Sequence, residues 1–253
     1  MSDPFVAEMK AVILSICPEV TIVDITHDVG KFNIRTAAFH LASAAPYFPE
    51  GTVHVAVVDP GVGSERRPIL VEAKRAFYLG PDNGLLIPAA RREGIHHIYE
   101  LTNRSLFRES VSATFHGRDI FAPTAAHVAC GTAPRDCGPE ISKFVNPAYA
   151  EPTIGNQSCK CEAFHIDGFG NIITNLTNEH LTKLGLQIGG KIPLKIGKKR
   201  LEAHFVRTFA DLKGKDFGVL IGSHGYLEVV CREASAAKRL NVQAGNVIEL
   251  RGA

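Results

Sequence analysis

Two short segments carry the residues most able to do chemistry in this sequence. The first, VVDPGVGSERR at positions 57–67, places Asp59 after an apolar run and follows it with a Pro-Gly turn, a second glycine and two arginines. The second, TFHGRD at positions 114–119, places His116 beside Gly117 and just before a predicted helix. An acid at the end of a buried strand lies at the carboxyl edge of a sheet, where open α/β folds bind ligands. Together the two segments predict a reaction site.

The charged groups of these segments have complementary chemistry. Arg66 can pair with Asp59 and keep the carboxylate ionised, and Gly61 and Gly63 let backbone N–H groups approach a ligand closely. Near a helix N-terminus the ring of His116 is favoured in its neutral form, which suits a group that positions water. The alternative is a charged turn with a surface ion pair and a structural histidine. We favour the functional interpretation because the groups occur together.

The elements that must position these groups follow an α/β pattern as far as residue 145. Apolar runs alternate with helical patterns, which is typical of a parallel sheet with helices on its faces. Asp3 is predicted to cap the first helix and Asp119 the last. Helices are predicted at 4–16, 34–47, 85–92 and 119–130, strands at 20–26, 53–59 and 96–101, extended segments over 69–79 around Lys74 and Arg75, and a turn at 81–84. We therefore expect a Rossmann-like, mostly parallel sheet with flanking helices.

From residue 157 the pattern changes to short extended runs separated by glycine turns. Strands are predicted at 161–166, 172–176, 191–196, 201–205, 218–221, 226–230 and 247–250. Several short strands at this spacing predict a small β-barrel or a sandwich. Residues 146–156, which contain two prolines and a glycine, are the predicted linker. The expected domains are therefore 1–145 and 157–253.

Two polar turns stand out in the second domain. Asp167-Gly-Phe-Gly-Asn171 ends in a side chain that can both donate and accept a hydrogen bond, and Ser223-His-Gly-Tyr226 is a similar turn. As plain hairpins they need no function. Alternatively, both turns could close over a site on the first domain.

Composition excludes several classes of protein. At 253 residues with 45% apolar content the chain can bury a substantial core. A net charge of +2 with scattered basic residues predicts no nucleic-acid or membrane partner. No apolar run approaches the roughly 20 residues that span a bilayer, and the N-terminus lacks a signal-peptide pattern, so we expect a cytoplasmic protein. Its six cysteines are then expected as thiols, and Cys159-x-Cys161 lacks the spacing of a zinc site, so we expect no metal.

Five motifs match one enzyme family. VVDPGVGSERR, GPDNGLL, TFHGRDIFAP, IDGFGNIITN and GSHGYLEV, in this order, closely resemble the S-adenosyl-L-methionine (SAM) hydroxide adenosyltransferases. These are adenosine-forming SAM hydrolases, related to the fluorinases and chlorinases, and the resemblance covers residues 3 to 250. It implies an α/β domain followed by a barrel-like domain. It also implies homotrimers whose active sites lie between the first domain of one subunit and the second domain of its neighbour.

The reaction that the resemblance implies is attack by water or hydroxide on the ribose C5′ of SAM, which releases adenosine and L-methionine. SAM is the substrate, so no separate cofactor is expected. A sulfonium becomes a neutral thioether, and catalysis should come from holding and partly desolvating the nucleophile in line with the C–S bond. The family's hydroxide-binding trio falls on Asp59, Arg66 and His116.

Further residues fall at the family's substrate-binding positions. They are Asp3, Asp167, Asn171 and Ser223 at the methionine moiety, Phe32 at adenine, Phe115 near C5′, and Tyr226 near the adenine-side loop. The halogenases carry an aromatic residue in place of Asp59 and a serine in place of Gly117. A carboxylate at that point would repel a halide, so this sequence resembles the hydrolase branch.

The start of the sequence departs from the family pattern. The family begins with a strand and a Thr-Asp-Phe-Gly type turn whose aspartate binds the ribose hydroxyls, and that aspartate has no counterpart here. We expect the strand to be encoded upstream, because losing a central strand would expose apolar faces and unpaired backbone groups. Two alternatives to a hydrolase remain, a non-catalytic SAM- or adenosine-binding protein and, less favoured, a SAM-dependent halogenase.

Overall fold

The computed structural model describes residues 3–214 and 216–251. The chain divides into two compact units, a first that ends at Asn146 and a second that begins at Pro147. Each unit has its own apolar core. Among the helices of the described residues, none has the length and hydropathy to cross a membrane.

The first unit is a four-stranded sheet with flanking helices, which confirms the predicted α/β class. Its helices are α1 (Phe5–Ile16), α2 (Ile34–Ala44), α3 (Ile87–Glu93) and α4 (Ala122–Ala129), and its strands are β1 (Thr52–Val55), β2 (Pro68–Ala73), β3 (Ala76–Pro81) and β4 (Ile95–Glu100). The strand order is β1-β3-β2-β4. Only the β1–β3 pairing is parallel among the described strands of this sheet, so the sheet is mixed rather than mostly parallel. Two residues separate β2 from β3, and so short a connection joins strands as an antiparallel hairpin.

The prediction of a buried strand at residues 20–26 is wrong. The segment forms no strand, and Val23 is 61% exposed. A strand needs a neighbour to complete its backbone hydrogen bonds, and no strand within residues 3–214 or 216–251 pairs with this segment. Asp24 instead forms a surface ion pair with Lys10 of α1, at 2.6 Å.

Cys17 and Cys130 form a disulfide that joins the end of α1 to the end of α4. The expectation that all six cysteines are thiols is therefore wrong for this pair, whereas the other four are buried thiols outside any disulfide. The two half-cystines are 113 residues apart in sequence but their Cα atoms are 6.1 Å apart. Because α1 packs on α4, tertiary packing rather than sequence spacing makes this bridge.

The second unit is a closed seven-stranded β-barrel, as predicted. Its strands are β6 (Ser158–Ile166), β7 (Ile172–Thr177), β8 (Lys191–Ile196), β9 (Lys199–Phe205), β10 (Phe217–Ile221), β11 (Tyr226–Cys231) and β12 (Val247–Arg251). They follow the order β12-β8-β9-β10-β11-β7-β6, and pairing of β12 with β6 closes the barrel. Closure satisfies the backbone groups that an open sheet leaves at its edges. All seven predicted strands are present, with ends shifted by a few residues.

Three further elements complete the second unit. They are a short strand, β5 (Thr153–Ile154), and two helices, α5 (Asn178–Lys183) and α6 (Ala236–Leu240). β5 pairs with β6, and the nearby ring of Tyr149 stacks on Phe164. Part of the segment expected as a linker is therefore packed into this unit.

Candidate functional site

The backbone that carries Asp59 is held from two sides. Beyond the end of β1, the N–H of Ala56 donates to the carbonyl of Leu79 in β3 at 3.0 Å, which continues the parallel pairing. The side chain of Asn83, from the GPDNGLL motif, donates to the carbonyl of Val58 at 2.8 Å. The sequence of that motif predicts a turn and gives Asn83 no individual role. The structure shows that its asparagine fixes the residue immediately before Asp59.

A tight turn then reverses the chain between Asp59 and Arg66. The N–H of Val62 donates to the carbonyl of Asp59 at 3.3 Å. Gly63 adopts a left-handed conformation, with φ of 77°, and a side chain there would collide with the carbonyl of Ala113. Glycine therefore allows this turn to lie directly against the loop that leads to His116.

The structure brings Asp59, Arg66 and His116 together. Arg66 Nε donates to Asp59 Oδ1 at 3.0 Å, and Arg66 Nη2 donates to Asp59 Oδ2. The same Nη2 lies 2.9 Å from His116 Nδ1. The side chains of Arg66 and Asp59 are only 8% and 6% exposed, and the guanidinium lies over the ring of Phe121. The pair is a buried, bidentate ion pair rather than a surface salt bridge.

The contact with Arg66 determines the state of His116. A guanidinium has donors and no acceptor, so His116 Nδ1 must accept from it and the ring proton lies on Nε2. Burial and then the charge of Arg66 lower the pKa of His116 below its usual value. The imidazole is therefore neutral at pH 7 and presents Nε2–H as a donor.

One guanidinium nitrogen of Arg66 remains without a partner. Nη1 is buried, and no hydrogen-bond acceptor for it exists in the described part of the chain. An unsatisfied buried donor costs about 1–3 kcal/mol, and more when it is charged. Such a group in a buried polar cluster is suited to hold an oxygen supplied from outside the protein.

Asp119 holds the loop that carries His116. Residues 117–121 form a single π-helical turn before α4, and the Asp119 side chain within it is fully buried. It accepts from the N–H of Ser112 at 2.8 Å and from the guanidinium groups of Arg118 and Arg108. Burial raises the pKa of Asp119, but the bonds from Arg118 and Ser112 outweigh it and keep the pKa below its usual value.

The prediction that Asp119 caps a helix is therefore wrong. α4 begins three residues later, at Ala122, and the Asp119 carboxylate binds arginines instead of helix N–H groups. The Arg118-Asp119 pair is visible in the TFHGRD motif. Arg108 and Ser112 carry no comparable sequence signal, because they meet Asp119 only when the loop folds back.

Helix α1 supports the same loop. Glu8 accepts from Arg118 Nη1 at 2.8 Å, and the rings of Phe5 and Phe115 meet edge to face at 4.9 Å. Phe115 lies in the loop, one residue before His116. Of the other first-unit residues in the predicted set, Asp3 is exposed next to α1, which begins one residue later than predicted with Pro4 in the cap position. Phe32 is 73% exposed, with a left-handed backbone.

In the second unit, Asp167 and Asn171 close the turn between β6 and β7. Asp167 Oδ1 accepts from the N–H groups of Phe169 and Asn171 at 3.0 and 2.8 Å, and Oδ2 accepts from Asn171 Nδ2 at 2.8 Å. The tip residue, Phe169, is 84% exposed. This turn and residues 235–243 line a groove of about 380 Å³. The two polar residues are thus brought together, with their side chains hydrogen-bonded to each other.

The second polar turn joins β10 to β11. Ser223 is exposed, and Gly225 takes a left-handed conformation with φ of 77°. Tyr226 is 4% exposed, and its ring packs edge to face on Phe164, so most of the ring is core. No group of three or more side chains that could hold a metal ion occurs within residues 3–214 and 216–251.

Comparison with known proteins identifies the family. The model of the SAM hydroxide adenosyltransferase N-terminal domain matches residues 1–138, and that of the C-terminal domain matches residues 161–249. The chain belongs to the SAM hydroxide adenosyltransferase family.

Full-length relatives agree with this assignment. A Methanocaldococcus jannaschii protein named (R)-S-adenosyl-L-methionine hydrolase is 38% identical, over 98% of this chain and 91% of its own length. A Salinispora tropica protein of the same name is 36% identical, over 97% and 92%. A crystal structure of an uncharacterised conserved protein from Thermotoga maritima aligns with a TM-score of 0.86 and 35% identity, over 99% of this chain and 96% of that one. Relatives named fluorinase also match, at 27% to 29% identity.

Proposed function

We propose that this protein hydrolyses SAM to adenosine and L-methionine by attack of water or hydroxide on the ribose C5′. Membership of the family and the names of its relatives support the substrate and the reaction. The observation that carries the mechanism is the buried trio of Asp59, Arg66 and His116, in which Arg66 Nη1 lacks an acceptor among the described residues.

Arg66 holds the attacking oxygen in this mechanism. Its unpartnered Nη1 donates to the oxygen, and the fixed positive charge stabilises the hydroxide that develops as a proton is lost. His116 Nε2–H supplies a second donor, which fixes the position of the oxygen. Asp59 keeps the guanidinium in place through two bonds, and the remaining lone pairs of its carboxylate can accept the proton of the water.

The leaving group needs no acid. The C–S bond breaks as the oxygen bonds to C5′, and its electron pair goes to sulfur, so that a sulfonium becomes a neutral thioether. Charge is lost along the reaction coordinate. Water would stabilise the charged reactants more than the transition state, so strong solvation of the reactants would slow the reaction. The low exposure of Asp59 and Arg66 therefore favours the reaction, since a partly desolvated nucleophile is held in one position.

The carboxylate of Asp59 also argues against a halide nucleophile. A halide placed on Arg66 would lie beside the carboxylate that already binds Arg66 through two bonds. Two anions brought together in a buried site repel each other strongly, because little solvent screens them. Water has no charge, and the hydroxide character that it gains develops only as its proton moves to Asp59 and neutralises the carboxylate, so water does not meet this barrier.

The proposal extends to the polar turns of the second unit and to assembly. Asp167, Asn171 and Ser223 bind the methionine moiety, and the protein is a homotrimer in which neighbouring subunits share each active site. The resemblance of the motifs to the family supports this arrangement. Light scattering coupled to size exclusion is expected to give the mass of three chains, and a monomer at working concentration would contradict it.

The central experiment is incubation of the protein with SAM. Chromatography should detect adenosine and methionine in equal amounts, and added EDTA should leave the rate unchanged because no metal takes part. A matched control is Arg200→Ala, which removes an exposed arginine of β9 and should retain full activity. Tight adenosine binding without turnover would instead support the non-catalytic alternative.

A further inference from the structure

Strand β11 carries one acid among apolar residues. Glu228 alternates with Leu227 and Val229, which belong to the barrel core, so its side chain lies on the other face of the strand. That face is covered, because Glu228 is only 7% exposed. A buried carboxyl is costly unless it is paired or hydrogen-bonded.

The carboxyl of Glu228 has no such partner among the residues that the structure describes. None of residues 3–214 and 216–251 donates a hydrogen bond to it or forms an ion pair with it. Burial and then the negative charge of Asp167 raise the pKa of Glu228 to about 7. A buried polar group left without a partner in a native structure indicates an absent ligand, ion or water.

The carboxyl is directed towards the two polar turns. It lies against Gly222, which precedes Ser223, and a Cβ atom built on Gly222 would overlap it. Gly222 is absent from the residues with positive φ, so glycine is needed there for space and not for an unusual backbone. Asp167, the charge that acts on Glu228, begins the other turn. The same carboxyl therefore contacts the turn of Ser223 and lies within electrostatic range of Asp167 on the other turn.

The charge at this point is negative. The titratable groups on the surrounding elements are Asp167 on the β6–β7 turn, His224 on the β10–β11 turn, and His165, whose strand position aligns with Ile173 opposite Glu228. Of these, only Asp167 shifts the pKa of Glu228. The donors to Asp167 are neutral amide N–H groups. Two acids thus lie within electrostatic range of each other, and no cation of the described residues is bound to Glu228.

We propose that Glu228 is a specificity-determining residue that accepts a hydrogen bond from the α-ammonium of the substrate and forms an anionic subsite with Asp167. This rests on the proposed function, since SAM carries a primary ammonium on its amino-acid end. An ammonium has three donors and can bond to both carboxyls at once. Binding offsets the desolvation of each acid and favours the ionised form of Glu228.

Isothermal titration tests this with two ligands that differ only in the ammonium. L-methionine carries it, and 4-(methylthio)butanoate does not. At mildly alkaline pH the wild type should bind L-methionine more tightly, and Glu228→Gln should reduce that preference by about tenfold, the value of one charge-assisted hydrogen bond. Its affinity for 4-(methylthio)butanoate should not change. Glu202→Gln, at an exposed position of β9 that pairs with Lys191, is the control and should keep the preference.

A measurement on the wild type does not depend on the folding of any variant. Carboxyl ¹³C NMR follows the titration of Glu228 with either ligand present. L-methionine should lower the pKa of Glu228, and 4-(methylthio)butanoate should leave it near its value without ligand.

The outcomes separate this inference from the proposed function. If the wild type hydrolyses SAM but Glu228→Gln keeps the ammonium preference, or the pKa of Glu228 does not move, the inference is overturned and the hydrolase stands. If SAM is not hydrolysed but the preference exists and Glu228→Gln removes it, the inference stands and the proposed function falls. A wild type that does not distinguish the two ligands also overturns the inference.

Discussion

Asp59 in the first unit and Glu228 in the second are both buried acids, but their hydrogen bonds and the charges around them differ. Asp59 receives two bonds from Arg66 and is part of a preformed ion pair. Glu228 receives none from the described residues, and the charge that shifts its pKa is the like charge of Asp167. In the proposed mechanism the first arrangement provides a fixed charge that acts on a neutral water. In the proposed subsite the second arrangement is a negative site whose cation arrives with the ligand.

The largest effect is expected from breaking the preformed pair. Arg66→Ala removes the proposed oxygen-binding donor and should lower kcat by about a thousandfold, as the loss of one such donor does elsewhere. It also leaves the Asp59 carboxylate buried without a partner, which should cost about 3–5 kcal/mol of unfolding free energy. Steady-state kinetics and denaturant unfolding measure the two effects.

Asp59→Ala and Arg66→Lys sharpen this prediction. Both variants should reduce turnover more than substrate binding. A lysine cannot form the bidentate contact with Asp59, and without Asp59 the side chain of Arg66 is no longer held in position. Variants that lose only affinity for SAM would contradict the assigned roles.

The stability of the first unit, unlike that of the second, should depend on a disulfide. The Cys17–Cys130 disulfide lies in the first unit, whereas the second has only free cysteines among its described residues. Replacing both half-cystines by serine should destabilise the first unit by up to about 4 kcal/mol, since the bridge closes a long loop. Calorimetry of wild type and variant should show this as a lower transition temperature for the first unit, and equal scans would show that packing of α1 on α4 suffices.

Replacing the unpaired acid, Glu228, should raise the stability of the protein rather than lower it. The pKa of Glu228 is raised, so the folded state holds its proton more tightly and stability falls as pH rises from the usual value of 4.5 through about 7. Glu228→Gln should therefore be more stable than the wild type above pH 7, by up to about 3 kcal/mol. Denaturant unfolding across this range measures the difference, and a destabilised variant at alkaline pH would reveal a partner for the ionised carboxylate.

The smallest effect is expected in the fall of kcat/KM at acid pH. The pKa of His116 is lowered, so the neutral ring is the folded form. In the unfolded chain this histidine has its usual pKa of 6.5. As pH falls through that pKa, the unfolded chain binds the proton before the folded protein does, so the stability of the folded protein declines. kcat/KM should fall only at lower pH, once the folded ring is protonated beside Arg66. His116→Asn should lose this limb, and an unchanged profile would assign it to another group.

Sequence reasoning succeeded where a local pattern was sufficient. The apolar run before Asp59 and the glycine turn after it pointed to Asp59 and Arg66, and the short extended runs located all seven barrel strands. His116 joined them as a trio only through the resemblance to the family. It failed at residues 20–26, where the run is apolar but the described chain offers no strand to pair with. It also failed at Asp119, because the arginines that bind it approach from outside the helix pattern.

Glu228 shows the same limit at a functional position. In sequence it is one acid in an apolar strand, which is the ordinary appearance of a residue on an exposed face. Its burial depends on the neighbouring strands, and the negative charge near it comes from a turn some 60 residues away in the chain. Cys17 and Cys130 likewise meet because two helices pack together.

Residue order alone therefore specified the chemical groups, the two-domain arrangement of elements and the family, because strand alternation, turn glycines and motif order are properties of neighbours in the chain. The folded structure settled which acid is paired, which is not, and which cysteines bond. Those outcomes depend on distances of a few ångströms between distant parts of the chain, and hydrogen bonds and charges act over just such distances.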